Sequence, residues 1–276
     1  MTSITKKKKH FLHAHHRPKI KTIDIETAPL ESYTWGLWKQ NVGVNQIKTE
    51  WSILSFASKD LGRKQVRYHD AGGRGADKVR DDAHLLDLLW HELNEADIVI
   101  AQNGKHFDIR KINARLIAAG YRPYSPVRVI DTKVEAQRVA MFTSNRLEWL
   151  SKYLSDTEKQ KHGKFPGFDL WAQCLADNPA AWREMKRYNI PDVTSTEELY
   201  LTLRPWIAGH PNIAVYDDAG EVIACPNCGG THVERDGSLF TQVNEYPRYH
   251  CNDCGAWARG RFTIQSTERR KLLLVN

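Results

Sequence analysis

The segment Lys21-Thr-Ile-Asp-Ile-Glu-Thr-Ala-Pro29 alternates apolar and acidic residues with a period of two. On a β-strand, residues two apart leave the same face. Ile23 and Ile25 therefore point into a core, while Asp24 and Glu26 stand side by side on the opposite face. Two like charges held that close are unfavourable unless a cation sits between them. An exposed edge strand would show the same acidic face, so the pair gains meaning only from what accompanies it.

Downstream, strands come first and an alternation of strands and helices follows. Thr34 to Ile47, Trp51 to Ser58 and Gln65 to His69 are rich in aromatic and β-branched residues and are expected as antiparallel strands. Trp35, Trp38 and Trp51 are expected in the core. Asp81 or Asp82 is placed to cap a helix whose apolar side carries Leu85, Leu86, Leu88, Leu89 and Leu93. A short strand from Asp97 to Ala101 leads through Gln102-Asn103-Gly104 into a helix from Phe107 to Ala119, closed by Gly120. Val127 to Ile130 is a further strand ending at Asp131, and mostly helical sequence runs on to Leu203. This order indicates an α/β domain with a mixed sheet. The glycines of Ala71-Gly-Gly-Arg-Gly75 have neither dinucleotide-binding nor Walker spacing, which excludes those phosphate loops.

A chain of 276 residues can bury one sizeable core and carry a small appendage. Its longest apolar runs, such as Ile98 to Ala101, are far too short to span a bilayer. Lys6 to Lys9 is not followed by the apolar stretch of a secretory signal. Residues 1 to 21 hold seven basic side chains and no acid, against 40 basic and 33 acidic residues in all, so the remainder is formally neutral. A basic arm on a neutral body suits a protein that meets a polyanion, although a solubilising tail has the same composition.

Four of the five cysteines form two C-x-x-C pairs, Cys225-Pro-Asn-Cys228 and Cys251-Asn-Asp-Cys254. Four thiolates in two knuckles suit one tetrahedral, structural Zn²⁺, and point to a reducing, cytoplasmic location. The gap between the pairs can be bridged by a hairpin from Thr231 to Tyr249 turning at Asp236-Gly237. Cys174 reads as buried packing, and His232 and His250 as spectators. Beyond the cysteines, Arg259, Arg261, Arg269, Arg270 and Lys271 face only Glu268 and could contact phosphates. Tyr246, Tyr249 and Trp257 either stack bases or cover a very small core.

Two more acidic positions complete the first constellation. Asp108, in Asn103-Gly-Lys-His-Phe-Asp108, falls in the first turn of a helix that follows a strand, where a carboxylate is favoured by the helix dipole. That is also the carboxyl edge of the sheet, where α/β proteins place ligands. Tyr188 and Asp192, in Tyr188-Asn-Ile-Pro-Asp192, are four apart and share a helix face. Pro191 between them either kinks that helix or opens a new one.

Taken together, Asp24 and Glu26, then Asp108, then Tyr188 and Asp192, resemble the DEDD superfamily of 3′→5′ exonucleases, in its tyrosine branch. Val129-Ile-Asp-Thr132, Asn145-Arg-Leu-Glu-Trp-Leu150 and Gly167-Phe-Asp-Leu-Trp171 extend the resemblance over residues 20 to 205. With the C-terminal cysteines, the chain looks like phage-type exonucleases that append a zinc ribbon. The resemblance implies a ribonuclease H-like fold, a mixed five-stranded sheet flanked by helices. The expected division is a basic arm (1–19), an exonuclease domain (20–208), and a zinc ribbon with a basic tail (209–276).

The resemblance also implies two Mg²⁺ or Mn²⁺ ions, with Asp24 bridging both, Glu26 and Asp192 completing the first, and Asp108 holding the second. Tyr188 would orient the attacking water, Thr27 would touch the terminal nucleotide, and Asn103 would support the site. Such a metal pair suits in-line phosphodiester displacement. The expected partner is nucleic acid, DNA ahead of RNA, with no membrane and with room for a replication or repair protein. An alternative from another class is a zinc-ribbon binding protein whose nuclease-like domain is an inactive scaffold.

Overall fold

The computed structural model describes residues 17–157, 163–216 and 222–276. The chain separates into two compact units, one spanning Lys19–Ile207 and the other taking in Ala208–Asn276. Lys6 to Lys9 of the expected basic arm lie outside the described residues.

In the first unit, β1 (Ile20–Thr27) is followed by a two-strand ladder, β2 (Glu31–Ser32) and β3 (Ile47–Thr49), and then by β4 (Ile53–Asp60) and β5 (Val66–Asp70). Next come α1 (Ala83–Glu95), β6 (Ile98–Ala101), α2 (Asp108–Ala118) and β7 (Arg128–Asp131). Four helices follow: α3 (Thr132–Val139), α4 (Leu147–Leu154), α5 (Asp169–Leu175) and α6 (Pro179–Leu203). The main sheet has the order β5-β4-β1-β6-β7, antiparallel on the β4 side of β1 and parallel on the β6 side. It is the mixed five-stranded sheet that the sequence implies.

The parity of β1 assigns the layers. Lys21, on the same face as Ile23 and Ile25, reaches Glu92 of α1 at 2.9 Å and Glu95 at 3.4 Å. Asp24, of the opposite parity, accepts a hydrogen bond from Asn189 of α6. Helix α1 therefore covers one face of β1 and α6 the other. In α1, Leu85, Leu86, Leu89 and Leu93 recur at helical spacing and are fully buried, each contributing roughly 1.5–3 kcal/mol of hydrophobic stabilisation. Asp82 stands at the N-cap of α1 but makes no capping bond. Its carboxylate instead receives the Arg115 guanidinium at 2.7 and 2.8 Å and the Ile53 amide at 2.9 Å, tying α2 to β4.

Residues 34–47 differ from the expected strand. They form an arm between β2 and β3, with a 3₁₀ turn at Val44–Gln46. Trp35 and Trp38 are 98% and 84% exposed, so neither is a core residue, whereas Trp51 does pack against the core. Aromatic residues favour strands because they fit a half-buried pleated surface. Here the neighbours of β1 are already β4 and β6, and the arm has no such surface to join.

Helix α6 runs unbroken through Pro191, so no second helix begins there. Asn178 caps it by accepting from the Ala180 amide at 2.9 Å, with Pro179 in the first turn, a position where a missing N–H is harmless.

In the second unit, β8 (Val233–Phe240), β9 (Glu245–Cys251) and β10 (Trp257–Arg259) form an antiparallel sheet in the order β10-β9-β8, followed by α7 (Thr267–Lys271). The hairpin turns at Thr241–Asn244, where the Thr241 amide donates to the Asn244 carbonyl at 2.9 Å. Asp236-Gly237 is a bulge inside β8 instead, with the register shifting between Arg235 and Ser238 and Gly237 at φ +69°. A glycine in the left-handed region serves a bulge as readily as a turn. Among the described residues, no helix is long and apolar enough to cross a membrane.

Candidate functional site

Asp24, Glu26 and Asp192 converge, with one carboxylate oxygen from each lying within 4.8 Å of the others. Adjacent same-face positions on β1 supply the first two, and the buried side of α6 supplies the third. Asn189, one turn before Asp192's neighbour Val193, donates its amide to Asp24 and offsets part of the charge. Three clustered hard-oxygen donors fit a divalent cation of the Mg²⁺ or Mn²⁺ kind.

Asp108 is outside that group of three and reaches the site differently. Strand β6 pairs with β1 only from Ile20 to Thr22. Beyond that point the chain of β6 turns away into α2, and the Ile25 amide donates instead to Asp108 at 3.1 Å. The carboxylate thereby replaces a strand partner and is anchored between the two acidic residues of β1. It is 2% exposed, and burial above all, with Asp131 adding, pushes its carboxyl up to about 7, against the opposing effect of the backbone bonds it accepts.

The loop before α2 is organised by Asp131, which accepts from the amides of Asn103 (2.9 Å), Lys105 (3.0 Å), Lys133 (3.1 Å) and Val134 (3.2 Å). Asn103 adopts φ +65°, and its side chain accepts from Lys133 Nζ at 3.1 Å. A methyl group added to Gly104 would lie 2.4 Å from the Ala101 side chain, so the loop's close approach needs glycine there. Thr27 ends β1, just past a register shift at Glu26.

Tyr188 lies one turn before Asp192 on α6. Its half-buried ring packs against the core and meets Trp171 edge-on, with centroids 6.3 Å apart. Asn189 and Asp131 are members of the site's surroundings that sequence reasoning passed over. Asn189 showed only its place beside Tyr188, and Asp131 its place at a strand's carboxyl end within Val129-Ile-Asp-Thr132.

In the second unit, the Sγ atoms of Cys225, Cys228, Cys251 and Cys254 lie within 4.8 Å of one another. Burial first, and then Cys254 close by, pushes the Cys225 thiol up to about 11. The Gly230 amide points at Cys228 Sγ at 3.3 Å. Such N–H groups favour thiolate, and four crowded thiolates require a cation, so the set fits zinc. His232 pairs with Asp253 at 2.7 Å and His250 lies against Trp257 with centroids 4.7 Å apart, so both have other engagements. Arg248 sits over Trp257 at 4.7 Å and Arg259 over Tyr246 at 4.1 Å. Cys174 is fully buried in the first unit's core.

No curated protein matches the chain significantly. Among solved structures, a family B DNA polymerase from the hyperthermophilic archaeon Pyrobaculum calidifontis is similar over 69% of this chain, with 15% identity and a TM-score of 0.48. The matched region is 26% of that polymerase chain, so the two proteins differ greatly in extent. The family profile described as the RNase_H superfamily matches residues 22–204, which contain Asp24, Glu26, Asp108 and all of α6 but none of the four clustered cysteines, and on that match the chain belongs to the RNase_H superfamily.

Proposed function

We propose that the Lys19–Ile207 unit is a metal-dependent 3′→5′ exonuclease of the DEDD type, tyrosine branch, acting on single-stranded DNA. Membership of the superfamily supports a nuclease-type activity that uses divalent metals. The observation that carries the finer reading is the convergence of Asp24, Glu26 and Asp192 beside a strand whose Ile25 amide is held by Asp108.

Asp24, Glu26 and Asp192 would hold one divalent ion, with Asp24 shared toward a second held by Asp108, in part through water. When bound, such ions activate a water and stabilise the leaving oxygen of an in-line displacement. The chain's own groups prepare that geometry. Burial of Asp108 and Asp192 excludes bulk water from the back of the site, and Asn189 fixes the rotamer of Asp24. Tyr188 would orient the attacking water, Thr27 would contact the terminal nucleotide, and Asn103, held by Asp131 and Lys133, would support the loop that leads to Asp108. The four cysteines would hold one structural zinc, and the second unit would act as an additional grip on nucleic acid.

The test is digestion of 5′-labelled single- and double-stranded DNA and RNA oligonucleotides with Mg²⁺ and with chelator. Stepwise loss from the 3′ end, fastest on single-stranded DNA and absent in chelator, is expected. Shortening from the 5′ end, internal cuts as first products, or full activity in chelator would overturn it.

A further inference from the structure

The arm between β2 and β3 presents Trp35, Leu37 and Trp38 at 98%, 90% and 84% exposure, and Tyr33 at 67%. Contiguous exposed apolar surface of this kind marks a binding site when it has a fixed shape. The arm does have one. The Tyr33 amide donates to the Gln46 carbonyl at 2.9 Å, and Gln46 Nε2 returns a bond to the Tyr33 carbonyl at 2.9 Å. Gln46 Oε1 also accepts from the Gly43 amide at 2.8 Å. Lys39 turns the tip at φ +52°, and the Gln40 side chain donates to the Trp38 carbonyl at 2.8 Å.

Its base is fixed as well. The Arg80 guanidinium donates to the Pro29 and Glu50 carbonyls, both at 3.1 Å, and to Glu31 at 2.7 Å, so it clamps both legs where they leave the sheet. The first leg continues β1, so the arm leaves the sheet at the end of the strand that carries Asp24 and Glu26. The second leg ends at Trp51, whose ring lies 3.7 Å from Lys111 Nζ on α2, one turn after Asp108. Trp51 and Lys111 thus join the base of the arm to α2, the helix whose first turn carries Asp108.

Charge selects the occupant. From Ser32 to Thr49 the arm has Lys39 and Lys48 and no acidic residue; Glu31 and Glu50 stand at its base, where Lys48 lies 3.8 Å from Glu31. An arm of exposed indoles among lysines and amides, leaving the sheet at the strand end that follows Glu26, matches a single-stranded nucleic acid, whose bases offer stacking faces and whose phosphates need cations. We infer that Trp35 and Trp38 stack the bases of the single strand upstream of the scissile 3′ end, with Lys39 and Lys48 beside its phosphates. This inference rests on the exonuclease reading for the position of the 3′ end, but the binding itself can be measured without turnover.

Trp35→Ala/Trp38→Ala and the double Trp→Phe variant would be compared with the unaltered chain. Binding is read in chelator as the fluorescence anisotropy of 5′-fluorescein-labelled single-stranded oligothymidylates of graded length. Turnover is read with Mg²⁺ on a 20-residue strand and on the p-nitrophenyl ester of thymidine 5′-monophosphate. The Ala variant should lose about tenfold or more in affinity for long strands, and as much in kcat/KM through KM. It should hydrolyse the small ester unchanged, and the Phe variant should retain most of the binding. Unaltered affinity, equal losses on strand and ester, or a dimer that the Ala variant dissociates while strand binding persists would each overturn the inference. Absence of all hydrolysis with length-dependent, tryptophan-dependent binding intact would instead fail the exonuclease reading and leave the arm's role standing.

Discussion

Asp108 is a carboxyl buried at the first turn of α2, where burial favours its neutral form. Its folded value near 7 lies above the ordinary value of 3.8. In metal-free protein the folded state therefore keeps a proton that the unfolded chain releases between about pH 4 and 7. Stability must fall as pH rises through that window and level off above it. Asp108→Asn removes the dependence while its amide oxygen can still accept from Ile25. In chelator, the variant should be more stable than the parent at pH 8 by on the order of 4 kcal/mol and equal to it near pH 4. Thermal unfolding at the two pH values checks this, and a constant difference would show that Asp108 is not the titrating group. With Mg²⁺, Asp108→Asn and Asp24→Asn should each reduce strand hydrolysis to background while the fold persists.

At the scale of elements, α6 has the most to do, since it covers one face of β1 and delivers Asn189 and Asp192 to Asp24. An unbroken helix keeps Tyr188 and Asp192 on one face in spite of Pro191. Tyr188→Phe should slow hydrolysis about tenfold or more with metal affinity unchanged, as expected of a positioning hydroxyl. Asp192→Asn should impair both. Metal titration by calorimetry beside strand hydrolysis separates the two, and parental activity in Tyr188→Phe would leave the ring a packing role against Trp171. The continuity of α6 could not be read from its residues, because a proline ends or bends a helix according to what packs around it. By contrast β1, α1 and α2 were legible, since alternation at Ile23 and Ile25, leucines at helical spacing and a closing Gly120 each have one reading. The arm was not legible: Trp35 and Trp38 carry the same strand signal whether or not a sheet edge waits for them. Asp82, Asp131 and Asn189 were equally hidden, since their partners lie far away in sequence.

For the whole molecule, the two compact units draw on different sources of stability. The first has an extended apolar core, whereas the apolar centre of the second is little more than Cys225, Cys251 and Ala256 with their neighbours. With zinc in the four-cysteine set, a unit that small would draw its folding free energy from the metal. Purified protein should contain one zinc per chain. Strong chelation or Cys254→Ser should abolish an unfolding transition of the second unit while the first unit's transition remains, as followed by metal analysis and calorimetry. A single transition lost entirely on chelation would show that the two units fold as one. The four sulfurs have a further consequence in the realm of oxidation. Cys225 Sγ lies 3.6 Å from Cys254 Sγ, and Cys228 Sγ lies 3.7 Å from Cys251 Sγ. Each contact joins opposite knuckles, and little motion separates it from the bonding distance of about 2.05 Å. Zinc bound there would keep those thiolates occupied. Once it is stripped in air, cross-knuckle disulfides should form, and zinc added afterwards should stay out until a reductant reopens them.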